Sequence, residues 1–168
     1  MRRQRPLSWT GFSRLAGNPG AFCDKTGYVC FKDGVQVAAM RKTIKKQVSI
    51  KGVGLHSGEV CALSILPSAP GTGIRFFRED IAPGMPIPAS PGFVCATRNR
   101  LSLGREGVAV ETVEHLLAAL SARGISDCDV RVVGPEVPAF DGSALPIWEL
   151  LEEGGVDEYD IPCVPVTL

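Results

Sequence analysis

Along residues 111–124 the apolar positions Val113, Leu116, Leu117 and Leu120 recur at i, i+3, i+4 and i+7, one stripe of an amphipathic helix, and Gly124 supplies its stop. At about 100° per residue, Glu114 falls on the flank of that stripe, whereas His115, Ala118, Ala119 and Ala122 lie mostly opposite. A solvated helix back carries Lys and Glu; a back of alanines predicts a second layer packed closely against it. Upstream the period shortens to two. Ile44, Val48 and Ile50, then Gly52-Val53-Gly54-Leu55-His56-Ser57-Gly58, then Cys61, Leu63 and Ile65 alternating with Ala62, Ser64 and Leu66 predict strand, glycine-rich turn and strand, paired as a hairpin.

Gly73 to Arg78 reads as a third strand, and the proline-punctuated stretch from Pro83 to Pro91 as a loop excluded from a central ladder. Phe93 to Thr97 and Gly107 to Val110 read as two more strands, joined by a connection carrying Arg98, Arg100 and Arg105. After the helix, Cys128, Val130 and Val132 alternate with Asp127, Asp129 and Arg131, a half-buried strand. Asp141-Gly142 is turn chemistry, Ser143 an N-cap and Pro146 a first-turn residue, with Gly154-Gly155 as the stop; they predict a second helix through Glu153 with Ile147, Leu150 and Leu151 as its core stripe. The expected fold is α+β, a two-layer sandwich of a mainly antiparallel sheet with two helices on one face.

Residues 1–39 break the pattern. Arg2, Arg3, Arg5, Arg14, Lys25 and Lys32 face only Asp24 and Asp33, among glycines and prolines and without a period. They read as an irregular extension, an organelle leader or, the preferred reading, sequence upstream of a start at Met40. At 168 residues, 45% of them hydrophobic, the rest suits one domain. A formal net charge of zero offers no global field for nucleic acid or an acidic membrane, so Arg41, Lys42, Lys45 and Lys46 read as a solvated edge. No apolar run reaches the roughly 18 residues of a transmembrane helix. Cys23, Cys30, Cys61, Cys95, Cys128 and Cys163 form no C-x-x-C pair and fit reduced thiols, so a cytoplasmic protein is expected.

An acid beside a histidine at a helix start, Glu114-His115, is by itself usually a capping acid next to a solvent-facing imidazole. Scarcity sharpens it: the chain has two histidines, His56 and His115, and neither lies in an apolar strand. The glycines at 52, 54 and 58 lack G-x-G-x-x-G spacing and no helix follows, so a plain loop is expected there, not a phosphate cradle. Asp141 is accounted for by turn and capping geometry.

Gly52 to Gly58, Thr112-Val113-Glu114-His115-Leu116, Gly134-Pro135-Glu136-Val137-Pro138 and Phe140-Asp141-Gly142-Ser143-Ala144 are four motifs in one order. Over about Met40 to Asp160 they make the chain similar to the UDP-3-O-acyl-N-acetylglucosamine deacetylases, zinc enzymes of lipid A synthesis. The resemblance implies two similar α+β halves, helices face to face between two sheets, with zinc at the junction. This chain then corresponds to the N-terminal half of a two-domain deacetylase, with Ile161 to Leu168 opening the second. It implies Zn2+ as cofactor with His115 as a ligand, Glu114 as general base, and His56 with its neighbour Leu55 at the UDP-3-O-acyl-N-acetylglucosamine substrate.

Family members take the other zinc ligands and a histidine acid from the second half, and these residues hold no histidine beyond His115. The expected partner is therefore a separate C-terminal half, or a second copy through the His115 helix face, and the isolated chain is expected to hydrolyse little. The alternative is a non-catalytic binding or scaffold module of the same fold. Ala96 stands where the resembling enzymes usually carry aspartate, Arg100 and Leu101 where they carry small or hydroxyl residues, and Glu111 where serine is common. These departures bear on substrate handling.

Overall fold

The computed structural model describes residues 40–96 and 98–163, together with the backbone of 13–14, 21–23, 29–31 and 34–36. It divides into Arg41–Tyr159 and a second unit, Met1–Met40 with Asp160–Leu168. Within residues 1–39, read above as an extension, four short strands pair antiparallel in chain order: β1 (Ser13–Arg14), β2 (Ala21–Cys23), β3 (Val29–Phe31) and β4 (Gly34–Gln36). Strands of two or three residues carry no readable alternation, which is why the sequence did not announce them.

The chain then runs β5 (Met40–Ile44), β6 (Val48–Val53), β7 (Val60–Pro67), β8 (Ile74–Arg78), β9 (Ile87–Pro88), a 3-10 turn (Pro91–Phe93), β10 (Val94–Ala96), β11 (Ser102–Arg105), β12 (Val108–Val110), α1 (Glu114–Ala122), β13 (Cys128–Val133), α2 (Leu145–Gly154) and β14 (Val156–Pro162). The main sheet has the order β6-β7-β13-β8-β9. β6 and β7 form the expected hairpin, Val48 opposite Ile65 and Val53 opposite Val60. β13 lies antiparallel to β7 and parallel to β8. The proline stretch joins the sheet only as the two-residue edge β9, where a missing N–H is tolerated. A smaller antiparallel sheet, β10-β11-β12, contains a strand missed in the sequence: Ser102–Arg105 lies inside the arginine-bearing connection.

Alternate positions Cys61, Leu63 and Ile65 of β7 and Cys128, Val130 and Val132 of β13 are fully buried, and all of these but Cys61 join Leu116 and Leu120 of α1 and Ile147 and Leu151 of α2 in one core. This is the two-layer α+β sandwich that the two periodicities predicted. Gly154 closes the packing of α2, since a Cβ there would stand 2.5 Å from Ile44 Cδ1 and 3.1 Å from Val48 Cγ1. The expectation for the α1 back face differs. Ala118 and Ala122 are exposed and, with Ala144, Leu145 and Trp148, line an open apolar groove, so among the described residues no second layer covers them. Ile161 and Pro162, read as opening a further domain, are the end of β14, which begins at Val156 and pairs with β5. The acids Asp157, Glu158 and Asp160 masked that strand; residues 164–168 lie outside the described set.

Two buried polar centres tie the layers. Asp127, fully buried, accepts from Arg41, from Ser126 Oγ at 2.7 Å and from the Gly71 and Gly73 N–H groups at 2.8 Å each. Burial alone would raise its pKa; the hydrogen bonds from Ser126, Gly73 and Arg41 outweigh it and hold the carboxyl below its ordinary range. The basic edge read at Arg41 and Lys42 is thereby engaged internally, Lys42 pairing with Glu158 at 3.0 Å. Arg78 grips Asp80 with two bonds of 2.9 Å and reaches Ala109 O at 2.6 Å, joining β8 to β12.

Because Leu120 is wholly buried between α1 and the sheet, Leu120→Ala should lower unfolding free energy by about 3 kcal/mol. Urea unfolding measures it; a loss under about 1 kcal/mol would mean that this stripe is not the core.

Candidate functional site

The site is built around a carboxylate. Glu136 leaves the end of β13 through Gly134-Pro135 and is fully buried. Its Oε1 accepts the Ser57 N–H at 2.6 Å and the His56 N–H at 3.1 Å, and its Oε2 accepts the Thr112 hydroxyl at 2.8 Å. Burial pushes the Glu136 pKa up; the bonds from Ser57, Thr112 and His56 more than reverse that, so it lies below the ordinary value of 4.5. The glycine-rich loop thus does wrap an anion, but one supplied by the chain itself.

Two glycines of that loop are required by contact. A Cβ on Gly54 would sit 2.5 Å from Glu136 Cδ, and one on Gly52 would sit 2.9 Å from Pro138 Cβ and Phe140 Cε1. The loop is therefore pressed onto the 136–140 segment, leaving Leu55 and His56 exposed at its tip. On the other side of Glu136, Thr112 is buried and holds φ at +57°, a left-handed conformation unusual for a β-branched residue. Its hydroxyl bond to Glu136 compensates, and the turn it makes delivers the chain into α1 two residues later.

Glu114 and His115 occupy the first turn of α1, both half-buried. Leu101 N–H donates to Glu114 Oε2 at 3.1 Å, and Val113 N–H donates to Leu101 O at 3.2 Å, so one residue grips both the carboxylate and the helix start. Arg100 and Glu111 form an ion pair with each other at 3.1 Å. Asp141 makes the predicted turn, accepting from Ser143 N–H at 2.9 Å and Ser143 Oγ at 2.8 Å. Those bonds hold its carboxyl below the ordinary range.

Of the residues predicted from sequence, Glu114 and His115 stand together at the helix start, and the loop of Leu55 and His56 is tied to that start through Glu136 and Thr112. Glu136 lies inside the Gly134–Pro138 motif, and the sequence alone assigns it no role. Its available signal was a lone acid between Pro135 and Val137-Pro138, opposite glycines that demand a close neighbour. Among the described residues no three His, Cys, Asp or Glu side chains converge as a bound metal requires. A catalytic zinc typically takes three protein ligands, so the residues described do not fit a complete zinc site.

Fold and site together define an α+β domain that gathers a carboxylate, an imidazole and a glycine-rich loop at one helix start. The sequence pattern of the LpxC family, UDP-3-O-acyl N-acetylglycosamine deacetylase, matches residues 41–167, and the chain belongs to that family. It is 47% identical over 122 residues to the UDP-3-O-acyl-N-acetylglucosamine deacetylase of Myxococcus xanthus, covering 73% of this chain and 39% of the relative. To the enzymes so named from Anaeromyxobacter dehalogenans and Haemophilus influenzae (strain PittEE) it is 47% and 41% identical, over 69% and 71% of this chain and 37% and 40% of theirs. The chain therefore spans about two-fifths of the length of these curated relatives.

Replacing Glu136 by Gln puts an amide where two backbone donors and a hydroxyl converge, and should cost about 3 kcal/mol. The wild-type contribution of Glu136, whose native pKa is lowered, is complete above about pH 4.5 and disappears as pH falls through the native value. Thermal melts from pH 7 to pH 2 should show the gap between wild type and Glu136→Gln closing toward acid. A gap that does not narrow would mean the carboxylate is not ionised in the fold.

Proposed function

We propose that this chain carries one half of a hydrolytic site that removes the acetyl group from UDP-3-O-acyl-N-acetylglucosamine, the substrate in the names of its relatives. The observation that carries the reading is the placement of Glu114: a carboxylate at a helix start, oriented by the Leu101 N–H, directly before His115, in a chain of this family.

Amide hydrolysis near neutral pH needs a water that loses its proton as it attacks the carbonyl, and a carboxylate within hydrogen-bond reach performs that step. With Oε2 held by Leu101, Oε1 of Glu114 is the oxygen assigned to the water. His115 projects about 100° away from Glu114 on the same turn, which places an imidazole beside the carboxylate without blocking it. The exposed tip, Leu55 and His56, is the part of the loop assigned to substrate contact, held in place by the Glu136 bonds behind it.

Zinc, the cofactor implied by the resemblance, enters this proposal through His115 as one donor. Because the described residues do not complete a zinc site, the other donors are assigned to polypeptide beyond these 168 residues, and no step above depends on the metal. The open groove along Ala118, Ala122, Leu145 and Trp148 is the surface on which that polypeptide would lie.

The test is deacetylation of UDP-3-O-acyl-N-acetylglucosamine by two proteins: the 168-residue chain, and the same chain joined to the part of the M. xanthus deacetylase that follows the matched segment. The chain alone is expected to be inactive and to hold less than stoichiometric zinc. The joined protein should turn over and hold about one zinc per chain. Glu114→Gln should lower its kcat about 10²- to 10⁴-fold, the usual range for removing a general base, and His115→Ala should release the zinc. An active Glu114→Gln protein, or a joined protein that binds substrate without hydrolysing it, would favour the scaffold reading.

A further inference from the structure

We propose that the Arg100–Glu111 ion pair is a positioning device for Glu114, acting through the Leu101 peptide; it rests on the assignment of Glu114 as general base. Arg100 Nη2 donates to Glu111 Oε1 at 3.3 Å, and Nε faces Glu111 Oε2 at 3.1 Å as a charge contact outside hydrogen-bond geometry.

The two partners are anchored on different sides of the site. Glu111 is fixed by its backbone: its N–H donates to Pro135 O and its carbonyl accepts from Val137 N–H, each at 3.0 Å, so it moves with the segment that carries Glu136. Arg100 belongs to the bend at 98–100, where Asn99 holds φ at +60° and turns the chain sharply. The next residue, Leu101, gives its N–H to Glu114 Oε2 and takes the Val113 N–H on its carbonyl. A closed ring results: Arg100 to Leu101 along the chain, Leu101 to Glu114 by hydrogen bond, Glu114 back to Glu111 along the chain, and Glu111 to Arg100 by the ion pair.

Both side chains of the pair are about a third exposed, and pairs of that kind add little to global stability. What the pair controls is local: where the Leu101 N–H stands relative to the Glu114 carboxylate. Glu111 also occupies the guanidinium next to a base that must stay available. An unpartnered arginine one residue from Leu101 would compete for the Glu114 carboxylate itself. Small displacements of a catalytic group cost rate more than they cost binding, so the pair should act on kcat.

The test compares Arg100→Glu, Glu111→Arg and the double reversal in the 168-residue chain and in the joined protein. In the chain, amide hydrogen exchange at Leu101 should speed about tenfold in each single variant and return to within about twofold of wild type in the reversal, as expected for directly coupled residues. The buried helix amide of Leu120 should stay unchanged and reports that the variant is folded. Arg100→Gln, which removes the charge without adding repulsion, replaces Arg100→Glu if the latter unfolds.

In the joined protein the single variants should lose about ten- to a hundredfold in kcat at nearly constant KM, with recovery in the reversal. Unchanged Leu101 exchange in the single variants overturns the proposal whether or not the joined protein is active, and so does a fall in kcat that the reversal does not repair. Full activity of Glu114→Gln removes the base and the proposal with it, while leaving the Leu101 exchange result standing, so the two failures are distinguishable.

Discussion

The candidate site depends on one buried anion. The Glu136 carboxylate takes two backbone N–H groups from the β6–β7 loop and the hydroxyl of Thr112, two residues before α1, so it is the point where the hairpin, the exit from β13 and the helix start are held in register. A buried carboxylate is costly unless its lone pairs are filled. Here three donors fill them, and the same donors fix the loop and helix start in relation to each other. The close fit at Gly54 follows from this: no side chain can stand where the carboxylate must approach. Gly54 is therefore a packing requirement set by Glu136, as Gly52 is one set by Pro138 and Phe140.

Backbone strain gathers around this anion. Among the described residues four non-glycine residues have positive φ: Asn99, Glu106, Thr112 and Phe140. Glu106 sits with Gly107 in the turn between β11 and β12, where left-handed residues are ordinary. The other three each lie one or two residues from a candidate functional side chain: Asn99 before Arg100, Thr112 before Glu114, Phe140 before Asp141. Such conformations cost of order 1–3 kcal/mol each and persist only where the surroundings over-determine them. Thr112 is held by Glu136, and Phe140 is wedged against Gly52. Of the three, Thr112 is the β-branched residue, so the least ordinary of these conformations stands at the entry to α1.

Much of the architecture was legible because it rests on local periods. The Val113 stripe, the Cys61-Leu63-Ile65 alternation and the Gly124 and Gly155 stops are decided within a dozen residues, and each element appears where its period placed it. What was illegible depends on distant partners. The parallel pairing of β8 with β13 brings together residues more than fifty positions apart, and nothing in either strand encodes direction. β11 is four residues long with a glycine inside it, and β14 carries three acids among its seven residues; both are strands because β12 and β5 lie alongside. The acid–histidine pair could be named from its scarcity, but Glu136 could not be given a role, because a buried acid is recognised by its donors and these lie 24 and about 80 residues away.

The alanine face of α1 shows how an inference from composition can leave its partner open. Small residues at 118, 119 and 122 predict close approach by another layer, although alanine also favours a helix by propensity alone. In the structure Ala119 is buried by the domain's own core, whereas Ala118 and Ala122 join Leu145 and Trp148 on an open groove. The rim of that groove is ordered by its own contacts: Arg123 lies over the Trp148 ring at 4.8 Å and bonds Glu152 at 3.2 Å, holding the end of α1 to α2. An apolar groove with a braced rim is a surface already shaped before anything covers it. His115 stands at the start of the same helix, so a layer laid along the groove would arrive beside the acid–histidine pair. The helix thus joins one core to a second surface, and its site residues lie at the seam between them.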